Sequence, residues 1–272
     1  IHYTELIQDS RLRHWFTQNY DLTGCNEASG CSPWSRDQAW TNKVTPIPIG
    51  FGMFDRYAEE FFWARAHERK SIHEQMSDLL DVRERSHRFD LKQQKLLLAF
   101  TGNHGRPERQ YLLDLLVGRP YVERYAARRW WVDAGEYPDR LDYWRALAEH
   151  MFVAAPAGMG MDTHRVWEAL YLGSVPVVLS STLDLLYQDY PIIIIDSWDS
   201  INATSLSRWQ LEIVQRFGPQ PSARVQEKLT MQYWVDVVQR AANRSRVLSP
   251  FDLGQNNMAC DSAIVRFCHD PW

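Results

Sequence analysis

Within residues 151–179, MFVAAPAGMGMDTHRVWEALYLGSVPVVL, an arginine and a glutamate stand three positions apart behind a glycine-containing loop. Arg165 follows that loop, and its planar guanidinium can fork onto phosphate oxygens. Residues three apart share a helix face, so Glu168 is placed beside Arg165, where a carboxylate could accept hydrogen bonds from ribose hydroxyls. Gly158 and Gly160 belong to the loop, and Asp162 or Thr163 stands at the N-cap position. Free N–H groups at such a helix start favour an anion. His164 is suited to orienting a phosphate or to capping. A second set lies at Thr101-Gly102-Asn103-His104-Gly105-Arg106, with Arg109 just beyond. Both sets fit a phosphate-binding edge. Both equally fit the plainer reading of surface arginines beside ordinary loops, with Arg165 and Glu168 as an exposed ion pair of little energetic weight.

Positioning these residues requires particular elements. Residues 151–155 form a short apolar run that reads as a buried strand, and residues 164–172 have helical character. Gly173 stands where a C′ glycine ends a helix. Residues 175–179 are a second β-branched strand, so the unit is strand–loop–helix–strand, closed by a parallel crossover. In such a unit the loop lies at the carboxyl edge of the sheet, where ligands bind. Residues 96–100 start an equivalent unit, with Pro107 suited to the first helical position and a helix running to about residue 117. A helix over 139–150 feeds the central strand. Residues 183–187 form a helical turn and 191–195 a strand containing four isoleucines. Helices are expected over 206–217 and 223–242. Towards the start, a short helix over 3–13 and strands over 14–20 and 43–49 flank a long polar loop. Residues 54–86 read as one helix, or as two with a break near Ser71. Strand–helix units in series imply an α/β domain with a mainly parallel sheet.

The stretch PAGMGMDTHRVWEALYLGSVPVV resembles the nucleotide-sugar-binding segment of exostosin-like glycosyltransferases. It is most similar to the short members found in algae, fungi and large DNA viruses, some of them xylosyltransferases. QNYD at 18–21 with PIPIG at 46–50 resembles the N-terminal part of the same group. LLAFTGNHGRPER at 97–109 resembles the start of its nucleotide-binding domain. Together these blocks span about two thirds of the chain, in the family's order. Met159 and Met161 depart from the smaller or polar residues expected in the loop, and the Trp130-Trp131 region has no counterpart.

The resemblance implies a GT-B architecture, two Rossmann-like lobes facing a cleft, with the first lobe reduced. An acceptor lobe is expected over 1–92, a nucleotide-sugar lobe over 93–245, and a tail over 246–272 packing across both. It implies transfer of a sugar, with xylose from UDP-xylose the best candidate, to a hydroxyl of a glycan or glycoprotein. The donor nucleotide would be held by Thr101, Gly102, Asn103, Arg106, Arg109, Gly158, Gly160, Asp162, Thr163, His164, Arg165 and Glu168. Arg165 would stabilise the leaving diphosphate. If the reaction inverts, an acid at the end of a first-lobe strand should act as base, Asp21 ahead of Asp55. The chain has no Asp-x-Asp motif, so no metal requirement is expected, and no cofactor, since the nucleotide sugar is a substrate. A GDP-fucose-dependent fucosyltransferase, with its similar acid–helix–Gly-x-Pro-Val pattern, is one alternative. A non-catalytic carbohydrate-binding module is another.

Composition narrows the classes. The net charge of −4 over 272 residues argues against a general nucleic-acid binder. Twelve tryptophans and twelve tyrosines chiefly fill a core, and a surplus suits stacking on sugars. No apolar run approaches the roughly 18 residues of a membrane span. The chain begins at Ile1, and loss of an upstream segment is expected. The four cysteines, Cys25, Cys31, Cys260 and Cys268, have no zinc spacing. They fit two local disulfides in an oxidising lumen, or four thiols in a cytosol. With sequons at Asn202 and Asn243, the Golgi lumen is the expected compartment and the cytoplasm the alternative.

Overall fold

The computed structural model describes residues 9–18, 43–53, 70–100, 107–125, 140–158, 160–219 and 223–247. The chain falls into two compact units. One comprises Ile1–Ile47 with Thr230–Trp272, and the other Pro48–Leu229. In the first, β1 (Trp15–Thr17) pairs in parallel with β2 (Val44–Pro46). Trp15 N–H donates to Lys43 O at 2.6 Å and Ile47 N–H to Thr17 O at 2.9 Å, extending the ladder at both ends.

The larger unit begins with residues 48–53 and a helix, α1 (Ile72–Arg85). A five-stranded parallel sheet follows, built from β3 (Gln93–Leu98), β4 (Val122–Arg124), β5 (His150–Ala154), β6 (Val175–Leu179) and β7 (Ile193–Ile195). Its helices are α2 (Pro107–Leu116), α3 (Arg140–Glu149), α4 (His164–Tyr171), α5 (Asp184–Tyr187), α6 (Ala203–Phe217) and α7 (Ala223–Lys228). The strand order is β4-β3-β5-β6-β7. The chain therefore winds outwards from β3 in both directions, and the order reverses between β3 and β5. This is a mixed α/β architecture of Rossmann-like type.

Alternation along the strands explains how both faces are covered. Leu96, Leu98 and Phe100 join Phe152, Ala154, Val175, Val177, Ile193 and Ile195 on one face, under Leu112 and Leu116 of α2 and Leu206, Trp209 and Ile213 of α6. Leu97, Ala99 and Val153 face the other way, onto Leu79 and Val82 of α1, Trp144 and Leu147 of α3, and Ala169 of α4. Side chains on a strand alternate between faces, so adjacent residues of β3 serve two cores. Each such buried aliphatic contributes about 1.5–3 kcal/mol.

The expected boundary near residue 92 falls inside the larger unit, because Leu79 and Val82 of α1 belong to the same core as β3 and β5. The last helix among the described residues, α8 (Met231–Val247), groups with residues 1–47, although it was expected in the nucleotide lobe. The break near Ser71 is a helix start. Ser71 Oγ accepts from Glu74 N–H while the Glu74 carboxylate accepts from Ser71 N–H. α6 begins earlier than expected, because Asn202 and Ser205 cap one another in the same reciprocal way. The stretch expected as one helix over 223–242 is two, α7 and α8. Gly173 is the C′ residue of α4 at φ 73°. Its N–H reaches Leu170 O, and Ser174 N–H reaches Ala169 O, the pair of bonds that closes a helix on a left-handed glycine. Among the described residues no helix is long and apolar enough to cross a membrane.

One buried lysine, whose ammonium burial pushes down to about 7, ties the amino edge of the sheet together. Lys92, 6% exposed, donates to Ser86 Oγ at 2.8 Å, to Leu172 O at 3.0 Å and to Ala148 O. The last two are carbonyls at the C-terminal ends of α4 and α3, where partial negative charge collects. Replacing Lys92 by Met keeps the apolar stem and leaves those carbonyls unsatisfied. Lys92→Met should cost about 3 kcal/mol. A melting temperature lowered on the order of 10 °C in calorimetry is expected, and an unchanged one would remove Lys92 from the stabilising set.

Candidate active site

The carboxyl edge of the sheet between β3 and β5 is where parallel α/β sheets bind ligands, since the loops after these two strands diverge to opposite faces. Two arginines converge there from the first turns of α2 and α4. Arg109, only 5% exposed, donates from Nε to Ala157 O at 2.9 Å, beyond the end of β5. Arg165, half-buried, donates from Nε to Ala99 O at 3.0 Å, beyond the end of β3. Each guanidinium carbon lies 5.7 Å from the centroid of the Phe100 ring. Both side chains are thus held through Nε on backbone carbonyls, which fixes the planes of their forks. Arg165 Nη1 and Thr163 Oγ1 are buried and without a hydrogen-bond partner. A buried, unpaired donor on a cation is expensive unless a ligand supplies the acceptor.

The loop between β5 and α4 completes this edge. Gly158 N–H donates to Gly160 O at 2.9 Å. A Cβ on Gly158 would sit 3.6 Å from Arg109 Nη2 and 3.7 Å from Thr163 Cγ2, so Gly158 lies between the two phosphate-binding candidates. Its backbone does not demand glycine. Thr163 is the N-cap residue of α4, extended at φ −132° and ψ 144°, yet its side chain makes no cap bond.

The remaining polar residues of the segment face elsewhere. Asp162 is not a cap. It is 2% exposed and accepts Ile49 N–H at 2.8 Å, the Trp167 indole N–H at 2.8 Å and the Tyr187 hydroxyl at 3.0 Å. Burial pushes its carboxyl up to about 6, although all three donors pull the other way. His164 Nδ1 donates to Gly50 O at 2.9 Å instead of reaching towards phosphate. Glu168 does not pair with Arg165. It is 2% exposed, and its Oε1 accepts Arg140 Nη2 at 2.8 Å and Gly52 N–H at 3.3 Å. The Tyr143 hydroxyl also bonds this carboxylate, and burial with that negative charge raises the phenol. The shared face expected for Arg165 and Glu168 is therefore divided. Arg165 turns to the sheet edge, while Glu168 turns inward to a salt bridge and a backbone amide. A ribose would have to displace these partners to reach it.

Sequence reading did not single out Ile49, Gly52, Arg140 or Tyr143. The PIPIG block contained part of the signal, since a Gly-x-Gly turn, Gly50-Phe51-Gly52, suits close backbone packing. Thr101, Gly102, Asn103 and Arg106, the candidate bases Asp21 and Asp55, Met159, Trp130, Trp131 and all four cysteines lie outside the described residues. Among the described residues no cluster of three His, Cys, Asp or Glu side chains is placed to hold a metal ion. An open hollow where β3 begins, lined by Gln93, Gln94, Lys95, Pro120, Tyr121 and Ala203, lies at the opposite edge of the sheet. Its charged side chain, Lys95, is already paired with Glu123 at 3.2 Å.

No protein-family model and no curated protein matches the chain.

The buried Asp162 gives a pH signature. Its folded value of about 6 lies above the ordinary 3.8. Its contribution to stability is therefore fully present below about pH 4 and lost as pH rises through 6. Relative to Asp162→Asn, which does not titrate there, the wild-type unfolding free energy should fall by about 3 kcal/mol between pH 4 and 7. Urea unfolding across that range tests this. A rise instead of a fall would mean that the three hydrogen bonds outweigh burial.

Proposed function

We propose that the chain is a glycosyltransferase that takes its sugar from a nucleoside diphosphate sugar. The observation that carries this reading is the convergence of Arg109 and Arg165 at the point of strand reversal, with Arg165 Nη1 buried and lacking an acceptor. A diphosphate supplies several anionic oxygens, and a forked guanidinium is the side chain best suited to take two at once. In the proposed reaction an acceptor hydroxyl oxygen attacks the anomeric carbon as the bond from that carbon to the diphosphate oxygen breaks. The electron pair leaves with the diphosphate, and a base takes the hydroxyl proton. Arginines held rigidly at the developing charge would act without reorganising, the usual source of electrostatic catalysis.

The sequence resemblance supplies the finer proposal. It is a GT-B arrangement with inverting transfer of xylose from UDP-xylose to a glycan in the Golgi lumen, and Asp21 or Asp55 as the base. Nucleotide recognition would begin at the phosphates. Glu168, already bonded to Arg140 and Gly52, is not assigned to the ribose.

UDP should stabilise the protein. At a hundredfold excess over its dissociation constant the gain is about 2.7 kcal/mol, a rise of several degrees in melting temperature. Arg165→Ala should weaken UDP binding about tenfold or more in calorimetry. Arg165→Lys should restore it only in part, because an ammonium lacks the planar fork. Absence of any shift with UDP or GDP, or full affinity in Arg165→Ala, would overturn the proposal.

A further inference from the structure

The four consecutive residues Asp162-Thr163-His164-Arg165 divide alternately between two tasks. Thr163 is extended at φ −132° and ψ 144°, which turns its side chain away from those of Asp162 and His164 on either side, and Arg165, in the first turn of α4, bonds Ala99 O at the sheet edge. Asp162 and His164 point to residues 48–53, gripping Ile49 N–H at 2.8 Å and Gly50 O at 2.9 Å. Thr163 instead packs beside Gly158 and Arg165 bonds Ala99 O, and these two carry the buried Oγ1 and Nη1 that lack partners. One helical turn later Glu168 takes Gly52 N–H at 3.3 Å. Residues 48–53 are thereby strapped across α4 by backbone groups held at three points. Phe51 adds an edge contact on Tyr171, with ring centroids 5.0 Å apart. The strap fits closely, since a Cβ on Gly52 would lie 3.0 Å from the His164 ring and 3.1 Å from Arg140 Nη2.

From this alternation we infer that the strap is a positioning element of the anion site, and that Asp162, His164 and Glu168 are its clasp rather than ligands. The inference rests on the diphosphate reading of Arg165. A segment gripped on one side cannot rotate freely, so the strap sets the direction in which Thr163 and Arg165 present their free groups. The same rigidity works in reverse. An anion drawn onto Thr163 and Arg165 restrains the 162–165 segment, which tightens the grip on Ile49 and Gly52. Such coupling between two sites must be reciprocal. The ligand class is phosphate or diphosphate. The chemistry asks nothing of Glu168 beyond holding Arg140 and the strap.

The amide hydrogens of Ile49 and Gly52 report the clasp directly, because each donates to a carboxylate of the clasp. Hydrogen exchange of the full chain should be measured with and without inorganic pyrophosphate, and again with UDP. Both amides should exchange about tenfold more slowly with either ligand bound. Gly52→Val forces the strap off the His164 ring without touching Thr163, Arg165 or Arg109. That variant should bind pyrophosphate about tenfold more weakly while still unfolding cooperatively. If pyrophosphate binds the wild type with no change at Ile49 and Gly52, or if Gly52→Val binds it with wild-type affinity, the positioning role is overturned and the diphosphate reading stands. If neither pyrophosphate nor UDP binds, both fall together. Should Gly52→Val not fold, the wild-type exchange measurement decides alone.

Discussion

Two carboxylates buried beside α4 constrain everything that the loop and helix after β5 can do. Asp162 and Glu168 are each 2% exposed, and a buried carboxylate is tolerable only when its lone pairs are met. Each is met by a backbone amide of residues 48–53, together with an indole and a phenol in one case and a guanidinium and a phenol in the other. Removing either carboxylate would strand donors in the interior. Keeping both fixes the rotation of α4 and, through it, the direction of Arg165. The geometry of the proposed phosphate site is thus a consequence of charge satisfaction on the reverse side of the same helix.

The sheet contributes the other half. A parallel sheet whose strand order reverses at β3 and β5 opens a crevice between diverging loops. The first turns of α2 and α4 flank it. Arg109 and Arg165 reach across to the carbonyl beyond the opposite strand, and the two guanidiniums share Phe100 between them. Arg165, held by Nε, keeps a buried Nη1 without a partner at this edge. Lys92 serves the opposite edge of the sheet, where carbonyls rather than amides need partners. Basic side chains therefore stand at both edges, at one bonded to the carbonyls of helix ends and at the other forming the proposed phosphate site.

Much of the larger unit was legible in the sequence, for a physical reason. Runs such as residues 151–155 and 175–179 are apolar because both faces of a parallel sheet are buried, and Gly173 could close α4 because glycine accepts a φ of 73° at little cost. The edge strand β4 was not legible, since Val122–Arg124 is short and partly exposed and shows no apolar run. Arg109 and Arg165 stand out in the sequence because a helix N-terminus behind a glycine turn is a local pattern, and the structure brings both to the carboxyl edge between β3 and β5. The partners of Glu168 are not legible in the sequence, because local spacing sees only the i and i+3 neighbours. Its real partners, Arg140 and Gly52, lie 28 and 116 residues away, and no periodicity encodes such a contact. The His164 contact is hidden for the same reason, with its partner Gly50 distant in the chain.

Whether Arg109 and Arg165 form the proposed diphosphate site is decided by a crystal structure of the protein soaked with UDP. Phosphate density is expected at the carboxyl edge between β3 and β5, with an oxygen within hydrogen-bond distance of Arg165 Nη1 and the strap still bonded to Asp162 and Glu168. UDP bound elsewhere, such as at the hollow beside Lys95, would contradict it, as would phosphates that leave Arg165 Nη1 without a partner.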